Sequence, residues 1–135
     1  MDFECTPEFK KQVEKLSKNK SYRNLESELI EFIGSDLDNF SIGFNLNRNN
    51  STPFIKKRLN GSGGYRLYYF YTINKETITL LYVHPKTGSE GFESINDKKK
   101  SELMDTRALC KSNRDMFKIE VKNELLTFIH FSDIQ

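Results

Sequence analysis

Residues 54–83 contain three runs rich in β-branched, aromatic and basic residues, separated by breaks too short for anything but hairpins. This succession constrains the fold more than any other part of the chain. The first run is Phe54–Leu59, followed by Asn60-Gly61-Ser62-Gly63-Gly64; the second covers 65–73, and Asn74-Lys75-Glu76 leads to a third at 77–83. Glycine supplies the positive φ that tight turns between antiparallel strands require, so three antiparallel strands are expected. Strand alternation puts Arg66, Tyr68 and Phe70 on one face and Tyr65, Leu67, Tyr69 and Tyr71 on the other. By the same rule Lys56 and Arg58 share a face, with Lys57 opposite.

Such a sheet needs an apolar cover. The short start at 3–5 is expected as an edge strand, and Thr6-Pro7-Glu8 then reads as N-cap, first-turn proline and first-turn acid. Phe9, Val13 and Leu16 recur at helical spacing, which predicts an amphipathic helix over Pro7–Ser17. Ser21 is the expected cap of a second helix that buries Leu25, Leu29, Ile30, Phe32 and Ile33, with Gly34 ending it in the left-handed conformation. Residues 35–53 are rich in Asn, Ser and Asp and show no period, apart from a possible short strand at 41–46. Asn96 or Asp97 is placed to cap a third helix through Leu103, Met104, Ala108 and Leu109. Beyond it, Phe117, Ile119 and Val121 alternate as a strand, and 125–131 reads as its hairpin partner or as a helix. The pattern leaves the structure of the C-terminal extension, 112–135, open.

A chain of 135 residues with 11 Phe and 6 Tyr suits one domain with a substantial core. No apolar run approaches the roughly 20 residues that cross a bilayer, and Met1-Asp2-Phe3-Glu4 lacks the basic region of a secretory signal. A cytoplasmic protein without a membrane partner is expected. Cys5 and Cys110 stand in no ligand-spaced motif and read as ordinary thiols. The formal net charge is only +2, but residues 54–88 hold Lys56, Lys57, Arg58, Arg66, Lys75 and Lys86 against Glu76 alone. This middle segment is a candidate anion-binding surface; a solvated sheet edge is the plainer reading of the same charges.

The motifs of other chemistries are missing. The basic strands offer no carboxylate cluster for a cation, and His84 and His130 are too few for a His-ligand site. Gly61-Ser62-Gly63-Gly64 matches neither the phosphate-loop nor the dinucleotide pattern, and Ser62 has no nucleophile-elbow context. What remains is metal-free chemistry by bases and cations, with no cofactor expected. Cations converging at one end of the sheet can hold a phosphate and stabilise the charge of its transition state. The aromatics of the second strand are read first as core, with stacking on RNA bases as the functional alternative.

The run from Phe54 to Tyr71 with Gly63-Gly64-Tyr65-Arg66 at its centre, then Leu80-Leu81-Tyr82-Val83 and Lys86 two residues after His84, resembles the RelE/ParE toxin superfamily, in particular its HigB-like branch. Phe3-Glu-Cys-Thr-Pro-Glu-Phe9 and Lys98-Lys-Lys-Ser-Glu-Leu103 extend the resemblance over about residues 1–108. The resemblance implies an α+β toxin domain over 1–135: two N-terminal helices packed on an antiparallel sheet of about four strands, then a further C-terminal helix and extension. It implies a metal-independent endoribonuclease that cuts mRNA in the ribosomal A site by attack of the 2′-hydroxyl. Arg66 would hold the phosphate, Lys86 matches the basic residue after the last core strand, and Lys56, Lys57 or Arg58 would include the base. Tyr68, His84 and Phe92 are the implied substrate contacts; Phe92 stands where some members carry tyrosine and so lacks the hydroxyl. The partners implied are the ribosome, mRNA and a cognate antitoxin. A ParE-like gyrase inhibitor and a catalytically silent interaction domain are the alternatives.

Overall fold

The computed structural model describes residues 1–59, 64–88, 90–92 and 94–134. The elements are β1 (Asp2–Cys5), α1 (Pro7–Ser17), α2 (Leu25–Ile33), β2 (Phe44–Asn45), β3 (Phe54–Leu59), β4 (Tyr65–Thr72), β5 (Thr77–Pro85), α3 (Asp97–Ser112), β6 (Phe117–Lys122) and β7 (Leu125–His130). All seven strands form one sheet in the order β2-β3-β4-β5-β1-β6-β7. β1 runs parallel to β5, and every other pairing is antiparallel.

The three expected strands form the meander β3-β4-β5, but the sheet around them differs from expectation. It has seven strands and is mixed, which overturns the antiparallel sheet of about four strands carrying two helices. Three short or weakly apolar pieces account for the difference. β2 is two residues long, β6 buries only Ile119 fully, and β1 is an interior strand between β5 and β6 rather than an edge. Four residues with alternating exposure look like an edge locally; partners at 77–80 and 117–118 decide otherwise. Residues 112–135, read as an extension, supply the β6-β7 hairpin that continues the sheet.

Helices cover both faces. α1 spans the predicted residues, with the Thr6 hydroxyl accepting the Phe9 N–H at 3.3 Å. It lays Phe9, Val13 and Leu16, with Leu25, Leu29 and Phe32 of α2, against Tyr65, Leu67, Tyr69, Tyr71, Ile78, Leu80 and Val83. Each such side chain stabilises the fold by roughly 1.5–3 kcal/mol. Ser21 lies in a 3-10 turn, Lys20–Tyr22, so α2 starts after Asn24 instead. Gly34 ends α2 at φ −83°, outside the left-handed region. A further 3-10 turn, Leu37–Ser41, drops Phe40 into the core between Phe3, Phe32 and Tyr71.

On the opposite face α3 places Leu103 and Met104 over Phe54, Tyr68, Phe70 and Leu81. The Asn96 side chain caps it, accepting the Lys99 N–H at 2.8 Å. Between Tyr68 and Tyr69 the pairing with β5 shifts from Tyr82 to Leu80, leaving Leu81 as an extra residue. This bulge turns both Leu81 and Tyr82 toward α3. The glycine-rich turn at 60–63 lies outside the described residues; Gly64, at its end, has φ +76°.

Candidate functional site

Strand pairing sets two rows of side chains on the α3 face. One joins Arg58, Arg66 and His84 across β3, β4 and β5; the next joins Phe44, Lys56, Tyr68 and Tyr82 across β2 to β5. Beside them opens a cavity of about 500 Å³, lined by Gly43, Phe44, Leu46, Lys56, Arg58, Arg66 and Ser94. Gly43 lets β2 come close enough to form this wall. At its φ of +150° a Cβ would lie 2.5 Å from the Ile55 side chain and 2.8 Å from the Lys56 carbonyl oxygen.

Arg66 is the centre of the arrangement. It is only 4% exposed, yet it lines the cavity, and its Nη1 donates to the Tyr65 carbonyl at 3.3 Å. Among the described residues no carboxylate pairs with it. Buried charges are ordinarily paired, because removing an ion from water costs several kcal/mol. Lys56 and Arg58 join Arg66 on the wall, and the described lining contains no acid. Among the described residues the charge facing the cavity comes from side-chain cations, and no three His, Cys, Asp or Glu side chains gather.

His84 lies beneath, 1% exposed. Its Nδ1–H donates to the Pro85 carbonyl at 2.9 Å, which leaves Nε2 to accept the Tyr68 hydroxyl at 2.9 Å. Burial pushes its pKa down to about 4, working against the Pro85 hydrogen bond, and the positive charges of Lys56 and Arg66 add to the depression. The ring is a neutral imidazole at pH 7. Burial also raises the Tyr68 pKa, opposed by its hydrogen bonds with Ser94 and the Ile95 backbone. Phe92 stacks on His84 at 3.6 Å and shields it from water.

The expected site residues therefore separate into groups. Lys56, Arg58 and Arg66 meet at the cavity. Tyr68 and His84, expected as substrate contacts, are buried supports under it, and Phe92 is the cover over His84. Lys57 points to the other face, where its ammonium donates to the carbonyls of Asn39 at 2.6 Å and Ile42 at 2.7 Å. Burial lowers its pKa. It holds the chain together and is remote from the cavity. Lys86 follows β5 at the same end of the sheet, its backbone N–H bonded to Gly64, and its side chain is not among those lining the cavity.

Phe44, Leu46 and Ser94 were not expected there. Two phenylalanines, Phe40 and Phe44, in the largely polar stretch 35–53 were the available signal for the first of them. Comparison with protein-family models and with curated proteins returned no match.

Proposed function

We propose that the cavity grips a phosphodiester of single-stranded RNA and that the chain is a ribosome-dependent mRNA endonuclease, the toxin of a type II toxin-antitoxin pair. The observation that carries this reading is Arg66: a buried guanidinium, facing a cavity, without a carboxylate among the described residues. An anionic ligand would supply the counter-charge that the described residues do not. The support comes from this site chemistry, since the seven-stranded sheet departs from the fold the family resemblance implied.

In the proposed reaction the 2′-oxygen bonds to phosphorus as the P–O5′ bond breaks. The 2′-hydroxyl proton leaves and O5′ gains one, giving a 2′,3′-cyclic phosphate and a 5′-hydroxyl end. Arg58 and Arg66 hold the non-bridging oxygens, whose charge grows at the pentacoordinate stage. Arginine stays protonated at working pH, so among the described lining residues Lys56 is the side chain suited to carry the proton. Ribosome and mRNA would be the working partners, and a co-encoded antitoxin would neutralise the chain by covering this face.

Purified ribosomes programmed with mRNA, with 5′ ends mapped after exposure to the protein, test this. Cleavage is expected, and Arg66→Ala should lower its rate by about a hundredfold or more, on the order of 3–4 kcal/mol of transition-state stabilisation. Arg66→Lys keeps the charge but loses the planar fork, and should recover only part of the rate. Intact transcripts under growth arrest would overturn the endonuclease reading.

A further inference from the structure

The wall formed by Phe44 and Leu46 has a second cavity on its far side, of about 530 Å³. That cavity shares Phe44 and Leu46 with the first and adds Asn47, Arg48, Asn96 and Lys100, with Asp97 its one carboxylate among the described lining. Phe44 is 69% exposed, more than any other large apolar side chain described. A flat apolar ring thus stands between a cavity bearing Lys56, Arg58 and Arg66 and one bearing Arg48 and Lys100.

The backbone that carries the ring is held in place. Phe44 pairs with Lys56 in the sheet, and the turn that follows is knitted by its own side chains. The Asn45 side-chain oxygen accepts the N–H groups of Asn47 and Arg48 at 3.2 and 3.0 Å; that of Asn47 accepts the Phe54 N–H at 2.9 Å. Cation, exposed ring, cation is the complement of a single nucleic-acid strand, in which a base separates successive phosphates. An acidic peptide would match the cations but offers no repeated flat face for the ring.

We infer that Phe44 is a base-stacking platform joining two phosphate subsites, so that the groove holds a nucleotide flanking the linkage at Arg66. The inference rests on the RNA reading of that cavity. It adds a second subsite and a residue that fixes the strand's path.

Fluorescence anisotropy with 2′-O-methyl oligonucleotides, which bind but lack the attacking hydroxyl, provides the test. At low salt the octanucleotide should bind at least about tenfold more tightly than the trinucleotide. Phe44→Leu should weaken the octanucleotide by roughly fivefold to a hundredfold, the range for losing one stacked base, and the trinucleotide by less. Arg48→Ala should reduce the salt dependence of octanucleotide binding alone. If Phe44→Leu changes nothing while Arg66→Ala weakens both lengths, the second subsite is refuted and the phosphate site stands. No binding of either length by the wild type would refute both. Equal competition by octaglutamate would assign the groove to an acidic protein segment and overturn the inference.

Discussion

At the scale of single residues, a guanidinium kept from water with no counter-charge among the described residues makes the free protein poorer in energy than its anion complex. Arg58 is paired with Arg66 across β3 and β4 and lines the same cavity, which sharpens that preference. His84 has its pKa depressed first by burial and further by the cations Lys56 and Arg66. Its folded pKa, about 4, lies below the unfolded value of 6.5, so its contribution to stability is complete above pH 6.5 and is lost as pH falls toward 4. The loss should reach about 3 kcal/mol. Guanidinium unfolding midpoints at neutral and mildly acidic pH measure it, and His84→Gln should reduce the difference between them. An equal acid sensitivity in variant and wild type would show that His84 titrates normally.

At the scale of elements, neighbouring residues of β3 divide their labour by strand parity. Lys56 and Arg58 face the cavity, while Lys57 ties β3 through two carbonyls to the segment between α2 and β2. Lys57→Met should cost about 2–4 kcal/mol, because two carbonyls lose a charged donor, yet leave RNA cleavage per folded molecule unchanged. Lys56→Met should lower cleavage per folded molecule. Thermal denaturation and ribosome cleavage assays on both variants decide it. This parity was legible in the sequence, as were α1, the β3-β4-β5 meander and the split of the β4 aromatics between two faces. The use of the Lys57 ammonium was not, because its acceptors, Asn39 and Ile42, lie in a stretch without periodicity. The turn of Phe44 and the coverage of His84 by Phe92 were hidden for a similar reason, since pairing across the chain sets them.

At the scale of the whole molecule, the C-terminal hairpin is part of the sheet. Met116 and Ile119 are buried, Phe117, Leu126 and Phe128 pack on the main core, and β6 covers the open side of β1. At roughly 1.5–3 kcal/mol for each fully buried side chain, and less for the partly buried ones, their loss approaches the 5–15 kcal/mol stability of an ordinary domain. A chain ending at Ser112 should therefore lose cooperative unfolding and associate through the exposed β1. Circular dichroism melts and gel filtration would reveal this, and a monomeric, cooperatively melting truncation would show that the hairpin is dispensable.

The same seam sets an order in time. β1 sits between a partner some 75 residues later and another more than 110 residues later, so neither side of its slot exists until those segments have been made. Residues 2–5 stay unpaired until residues 77–80 have left the ribosome, and one side of them stays open until residues 117–118 follow.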